Sequence, residues 1–153
     1  MQDVAQATDL PDHVLFACTH NAIRSPMAAG IGSHLFGHAI DFGSVGVRAT
    51  DINPFAIAIM AEIGIDLTGH QSRSFAEIDD VPCNLIISLT PDAQHHAIEL
   101  TRRGNCEAEF WPTYDPSLAH GSRNTILDSY REVRDALTEK ITARFQAGAI
   151  SND

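Results

Sequence analysis

Two short runs constrain this 153-residue chain more than any other feature. Val14-Leu15-Phe16-Ala17 is apolar at every position, and Leu85 to Leu89 is interrupted only by Ser88. A strand with one wet face alternates apolar and polar residues. A run without alternation belongs to a strand buried on both faces, as in a parallel sheet covered by helices. Each run leads toward a helix start: a helix is expected from near Pro26 after the first, and Thr90-Pro91-Asp92 follows the second with a capping residue, a proline and a first-turn acid.

The rest of the chain alternates in the same way. Met27, Ile31 and Leu35 recur at i, i+4 and i+8, giving a first helix that ends near Gly37; Gly30 and Gly32 weaken it without a reason visible in the sequence. Ile40 to Val47 reads as the second strand. Asn53-Pro54 starts a helix through Ile63, stopped by Gly64. Asp66 to Asp80 reads as loop, with a helical turn around Phe75-Ala76-Glu77-Ile78. The helix after Thr90 closes at Arg102, Arg103 and Gly104, and Ala108 to Trp111 forms the last strand. The final helix is expected from Asn124 to Phe145, with Ile126, Tyr130, Val133, Leu137, Ile141 and Phe145 on one face. The expected fold class is α/β: a four-stranded parallel sheet with helices on both faces, three-layered and Rossmann-like. One domain would occupy residues 13–153, behind a flexible N-terminal extension over residues 1–12.

A hydrophobic content of 44% and a charged content of 20% suit a domain with a real core. The net charge of −10 argues against nucleic acid or an acidic membrane surface as partner. An anionic substrate would have to be held by local fields. Residues 1–12 lack a basic start and an apolar stretch, no run approaches membrane-spanning length, and Cys18, Cys83 and Cys106 lack metal-like spacing. A reducing cytoplasm is the expected location.

Chemistry concentrates in Cys18-Thr19-His20-Asn21-Ala22-Ile23-Arg24-Ser25-Pro26, between a strand and a helix. The backbone N–H groups of such a loop (Thr19, His20, Asn21, Ala22, Ile23) and of the helix start at Ser25 can converge on one oxyanion. Arg24 adds a planar fork for two phosphoryl oxygens. The same positive field favours the thiolate of Cys18, making it a nucleophile. Ser25 can donate to that sulfur, and Asn21 can take the left-handed backbone conformation that turns the N–H groups inward. Asp115 follows the last strand, and in a parallel sheet the carboxyl ends of strands share one crevice. It can meet Cys18 there and protonate a leaving oxygen; Asp92 and Asp80 are weaker candidates. His95 and His96 are adjacent on a helix and point about 100° apart, so they do not form a metal site. No cofactor and no metal are expected.

From Val14 to Met27, with Asn21 inside the loop and Ser25-Pro26-Met27 after it, the chain resembles the signature loop of the low-molecular-weight protein tyrosine phosphatases. Their fold is shared with thioredoxin-coupled arsenate reductases. Asp115-Pro116 resembles the family's general-acid loop, and the resemblance extends over Val14 to Phe145. It implies a phosphomonoesterase working through a cysteinyl-phosphate, on a phosphorylated protein (phosphotyrosine) or a small phosphomonoester, with inorganic phosphate or a similar oxyanion held in the loop. It also implies that Ser44 and His70 tie down Asn21. Four positions depart from the pattern. His20 stands where glycine is usual, and Ile23 where many members carry a second cysteine. Ser117-Leu118 replaces aromatics after Asp-Pro, and the stretch from Val47 to Asn53 has no Trp or Tyr to wall a phosphotyrosine ring. Trp111 and Tyr114 could supply such a wall or belong to the core. Two other readings are an arsenate reductase and a non-catalytic oxyanion-binding module, the latter needing neither Cys18 nor Asp115. In the reductases the first shuttle cysteine sits just after the third strand, where this chain has Thr90. Cys83 and Cys106 precede their strands, so they should lie at the sheet's far end from Cys18.

Overall fold

The uninterrupted apolar runs become the two central strands. In the computed structural model, which describes residues 10–79, 81–104 and 106–150 (side chains through residue 146), β1 (His13–Cys18) lies beside β3 (Leu85–Ser88). β2 (Asp41–Gly46) flanks β1 and β4 (Glu107–Phe110) flanks β3, and all pairings are parallel. All four residues of β3 and the last five of β1 are buried, whereas β4, at an edge, reads Glu-Ala-Glu-Phe and stays partly wet. The chain steps from β1 outward to β2, then crosses back over β1 to β3. This reversal opens a crevice above the carboxyl ends of β1 and β3.

Alternate side chains of the sheet feed two cores. Val14, Phe16 and Leu85 face α1 (Arg24–Phe36) and α4 (Arg123–Ile150), meeting Met27, Ile31, Leu137, Ile141 and Phe145; α2 (Pro54–Ala61) adds Ile59 and Met60. Leu15, Ala17, Val45 and Ile86 face α3 (Pro91–Thr101) through Ala93 and Ala97, with Ile78 beside them. Each fully buried apolar side chain is worth about 1.5–3 kcal/mol relative to exposure. Gly32 now has its reason. A Cβ there would sit 2.7 Å from the ring of Phe42, which packs against Phe16 and edge-on to Phe145.

The caps form as expected. Asn53 Oδ1 accepts from the N–H groups of Phe55 (2.8 Å) and Ala56 (3.2 Å), and Thr90 caps α3. Boundaries shift for local reasons. Helix α1 begins at Arg24, because Pro26 sits in the first turn, where a missing N–H costs nothing. Helix α2 ends at Ala61; Gly64, at φ +80°, lets the Ile65 N–H turn back onto the Met60 carbonyl at 3.0 Å. Helix α4 continues past Phe145 to Ile150. A short 3₁₀ turn spans Phe75–Glu77 and another Pro116–Leu118.

Of the expected extension, residues 1–9 lie outside the described residues. Leu10 packs on the core, and Asn84 Oδ1 accepts from the N–H groups of Asp12 and His13, so the chain is tied down before β1 begins. Helix α4 is clasped to the end of α2. Arg134, nearly buried, donates to the Ile59 carbonyl and to Glu62, and Arg131 grips the same carboxylate. Hydrogen bonds from Arg131, then Arg134, hold the Glu62 carboxyl down to about 2. Among the described residues no helix is long and apolar enough to cross a membrane.

Candidate active site

Cys18 is the last residue of β1, at the crevice where the strand order reverses. The loop after it turns its carbonyls outward. Those of Cys18, Thr19, His20 and Ala22 accept from the N–H groups of Val47 (3.1 Å), Arg48 (2.8 Å), Thr50 (3.1 Å) and Asn53 (3.0 Å). With the carbonyls spent on the wall behind, the loop's N–H groups are left to face the opposite side. Gly46 makes this packing possible, since a Cβ there would meet the Arg48 carbonyl oxygen and lie 2.7 Å from the Asn21 nitrogen.

Asn21 is the one non-glycine residue with positive φ among the described residues, at +53°. That conformation is costly outside glycine, and three contacts hold it. The Asn21 carbonyl accepts from Ser72 Oγ (2.8 Å) and faces His70 Nε2 at 3.0 Å, while Asn21 Oδ1 accepts from the Arg73 N–H (3.0 Å). Because the partner is a carbonyl, His70 must carry its proton on Nε2. Burial pushes the imidazole below its ordinary range, against the Asn21 hydrogen bond and with the charge of Arg73. His70 is therefore where the resemblance puts it, but Ser44 is not. Its side chain makes no hydrogen bond to Asn21, and only its carbonyl takes part, accepting from Arg73 Nε at 3.0 Å. The serine that reaches the Asn21 carbonyl is Ser72, on the loop from Gly69 to Ser74, which crosses behind the Cys18 loop.

The side chain of Asn21 points to the chemistry. Its Nδ2 donates to Ser25 Oγ (2.8 Å), and Ser25 Oγ lies 2.9 Å from Cys18 Sγ. Ser25's backbone N–H also reaches the sulfur at 3.4 Å. The serine proton has one alternative acceptor, the Val45 carbonyl, at a longer 3.4 Å. Asn21, Ser25 and Cys18 thus form a buried donor chain ending on sulfur. Ile23, just before helix α1, gives no side-chain cap, so the helix's first N–H groups are left to complete the cradle.

Arg24 and Asp115 close the other side. Arg24 Nη1 donates to the Thr113 carbonyl (3.0 Å), and Nη2 lies 3.8 Å from Asp115 Oδ2. Asp115 Oδ1 is occupied by the Ser117 N–H (3.0 Å) and Oγ (2.6 Å), which leaves Oδ2 toward the cleft. A cavity of about 380 Å³ lies over these groups, bordered by Cys18, His20, Arg24, Asp51, Ile52 and Asp115 among others. No Phe, Tyr or Trp lines it. Trp111 instead packs on Phe16 beneath Lys140, and Tyr114, 58% exposed, borders a separate hollow on α4.

Asp92 is engaged in holding the loop from a second side. Its Oδ1 accepts from Thr19 Oγ1 (2.8 Å), Thr90 Oγ1 (2.7 Å) and the Ala93 N–H (2.9 Å). Burial raises its carboxyl, but the hydrogen bonds from Thr90, Thr19 and Ala93 outweigh that and hold it below the ordinary range. Asp80 lies outside the described residues. His95 and His96 meet edge to face, and no cluster of three metal-ligating side chains occurs among the described residues.

Residues 13–148 match the family described as low molecular weight phosphotyrosine protein phosphatase. The chain belongs to that family. An arsenate reductase of Halalkalibacterium halodurans is 31% identical over 137 residues, 88% of this chain and 96% of the relative. A second arsenate reductase, from Staphylococcus haemolyticus, is 34% identical over 104 residues, 68% of this chain and 78% of its own. Among solved structures, an arsenate reductase in the oxidized state superposes with a TM-score of 0.72 at 27% identity, covering 90% of this chain and 98% of that one. A low-molecular-weight protein tyrosine phosphatase from T. tengcongensis gives 0.72 at 23%, covering 88% and 98%. An arginine phosphatase from Geobacillus stearothermophilus gives 0.71 at 22%, covering 92% and 93%. The last two likenesses bear on the fold, a family fold of four parallel strands between helices.

Proposed function

We propose that this family member hydrolyses phosphomonoesters through a cysteinyl-phosphate on Cys18, with Asp115 as the general acid and then the general base. The substrate phosphoryl group would lie in the loop from Thr19 to Ile23 with two oxygens on Arg24. Cys18 Sγ attacks phosphorus, the P–O bond to the leaving group breaks, and Asp115 gives that oxygen a proton. Water then attacks the phosphocysteine, Asp115 takes its proton, and the thiolate departs onto the Ser25 hydroxyl. No step calls for a metal. The observation that carries the reading is the donor chain from Asn21 through Ser25 to the Cys18 sulfur, on the same cavity as Asp115, whose Oδ2 lies 3.8 Å from Arg24 Nη2. A module that only held phosphate would need neither the sulfur nor the acid.

The names of the curated relatives favour arsenate reduction as the second reading, and the thiols weigh against it. Release of arsenite as a disulfide forms needs a second cysteine near the nucleophile. Two residues beyond β3 stands Thr90, spent on capping α3 and bonding Asp92. Cys83 lies before β3 and Cys106 before β4, five to six residues down the sheet from Cys18, roughly 17–20 Å at strand rise. Disulfides need Cα atoms within about 7 Å.

The cleft lacks an aromatic wall, so phosphotyrosine should not be favoured over other esters by stacking. Rates on a phosphotyrosine peptide, p-nitrophenyl phosphate and phosphoarginine, beside a thioredoxin-coupled arsenate assay, test the reading. Phosphate release with EDTA present and negligible arsenite formation is the expected result. Thioredoxin-dependent arsenite release without phosphatase activity would overturn it.

A further inference from the structure

Cys83 and Cys106 take no part in the chemistry above, yet they are not scattered. Cys106 is buried in the core on the α3 face of the sheet, Cys83 packs half-buried against the same core beside Val81, Leu100 and Ala108, and both are free thiols. β3 and β4 run in register with Leu85 beside Glu107, which puts Asn84 level with Cys106 and Cys83 one residue diagonal to it. At ordinary strand spacing and rise the two Cα atoms stand about 6 Å apart, inside the window a disulfide spans. The backbone around them is anchored: the Asn84 N–H bonds the His13 carbonyl and the Glu107 N–H bonds the Asn84 carbonyl, each at 2.9 Å.

We propose that Cys83 and Cys106 form a second redox site, an intramolecular disulfide made by peroxide that ties the start of β3 to the start of β4 and excludes Cys18. The neighbouring Cys106 sulfur and burial push the Cys83 thiol up, while the Cys83 thiol beside it lowers Cys106, whose own sulfur lies 3.7 Å from the Glu107 carbonyl. Cys106 is therefore the sulfur on which a thiolate forms. It attacks one oxygen of hydrogen peroxide, the S–O bond forms, the O–O bond breaks, and hydroxide leaves to become water. Cys83 sulfur then attacks the sulfenic sulfur, the S–S bond forms, and the hydroxyl departs as a second water with the Cys83 proton. Two thiols lose two electrons and the peroxide gains them. Lying at the opposite end of the sheet from the loop, the bond would leave Cys18 untouched and act on stability, by closing the chain between the two strands.

The test exposes the full chain to hydrogen peroxide, alkylates the remaining thiols, and maps peptides without reduction. Wild type and Cys18→Ser should both give a Cys83–Cys106 crosslink, with loss of two hydrogens from the intact mass of Cys18→Ser. The crosslink should vanish in Cys83→Ser, and oxidation should raise the thermal midpoint of Cys18→Ser but not of the Cys18→Ser, Cys83→Ser double variant. Cys83 and Cys106 remaining alkylatable, a crosslink of either to Cys18 or between chains, or a sulfinic acid at Cys106 without a crosslink would overturn the proposal. The Cys18→Ser arm decides it even where Cys83→Ser fails to fold, and none of these readouts depends on the phosphatase reading.

Discussion

The hydroxyl of Ser25 lies 2.9 Å from the sulfur of Cys18, and its oxygen is held from behind by Asn21 Nδ2. With its lone pairs facing that donor, the hydroxyl is set to give its own proton to sulfur. The proton matters most when the thiolate leaves phosphorus. A hydrogen bond to a charged group is worth about 1.5–3 kcal/mol, so Ser25→Ala should slow breakdown of the phosphocysteine roughly 10- to 100-fold. Burst kinetics with p-nitrophenyl phosphate would show this as a larger burst followed by a slower steady state. A loss confined to the burst would assign Ser25 to the first step.

Asp115→Asn should cost roughly 10²- to 10⁴-fold in turnover on an alkyl phosphate, whose leaving oxygen needs a proton. The cost should shrink for p-nitrophenyl phosphate, whose leaving group hardly does. Comparing kcat/KM over a series of leaving groups checks this. Equal losses across the series would make Asp115 a structural cap for Ser117.

His70 predicts an acid-sensitive fold. Burial lowers its folded-state value below the ordinary 6.5, so above 6.5 its contribution to stability is fully present. As pH falls from 6.5 through the lowered value, the unfolded chain binds the proton more readily, and stability is lost. Thermal midpoints of the wild type should drop over that window more steeply than those of His70→Gln. Parallel curves for the two proteins would contradict the assignment.

Glu62 predicts a second loss at lower pH. Held down to about 2 by Arg131 and Arg134, against an ordinary 4.5, it stabilises the fold above 4.5 and loses that contribution as pH falls through 2. Glu62→Gln should flatten the acid limb of stability below pH 4.5. An unchanged limb would mean the clasp between α2 and α4 contributes nothing.

Contact range separates what the sequence disclosed from what it hid. Cys18, Arg24 and Ser25 are neighbours on a loop, so their convergence follows from spacing alone, and Asn53-Pro54 and Thr90-Pro91 announced their helices because capping is local. Asn21's left-handed backbone could be anticipated, but not which serine holds it. Ser44 and Ser72 are both plausible by type, and the choice depends on how the loop from Gly69 to Ser74 crosses behind the Cys18 loop. Thr19, Thr90 and Asp92 meet only because the sheet order puts β3 next to β1. Gly32 is explained by Phe42, ten residues on and on another element. Trp111 sits at a strand end and its direction was ambiguous until packing on Phe16 resolved it.

The most direct measurement of the central claim is where the phosphoryl group goes. Asp115→Asn, which should be slow to hydrolyse its intermediate, is mixed with p-nitrophenyl phosphate, quenched in acid and mapped by mass spectrometry, beside Cys18→Ala. A phosphoryl group on the Cys18 peptide, absent from Cys18→Ala together with all turnover, is the predicted result. Turnover surviving in Cys18→Ala, or phosphate carried on any other residue, would contradict it.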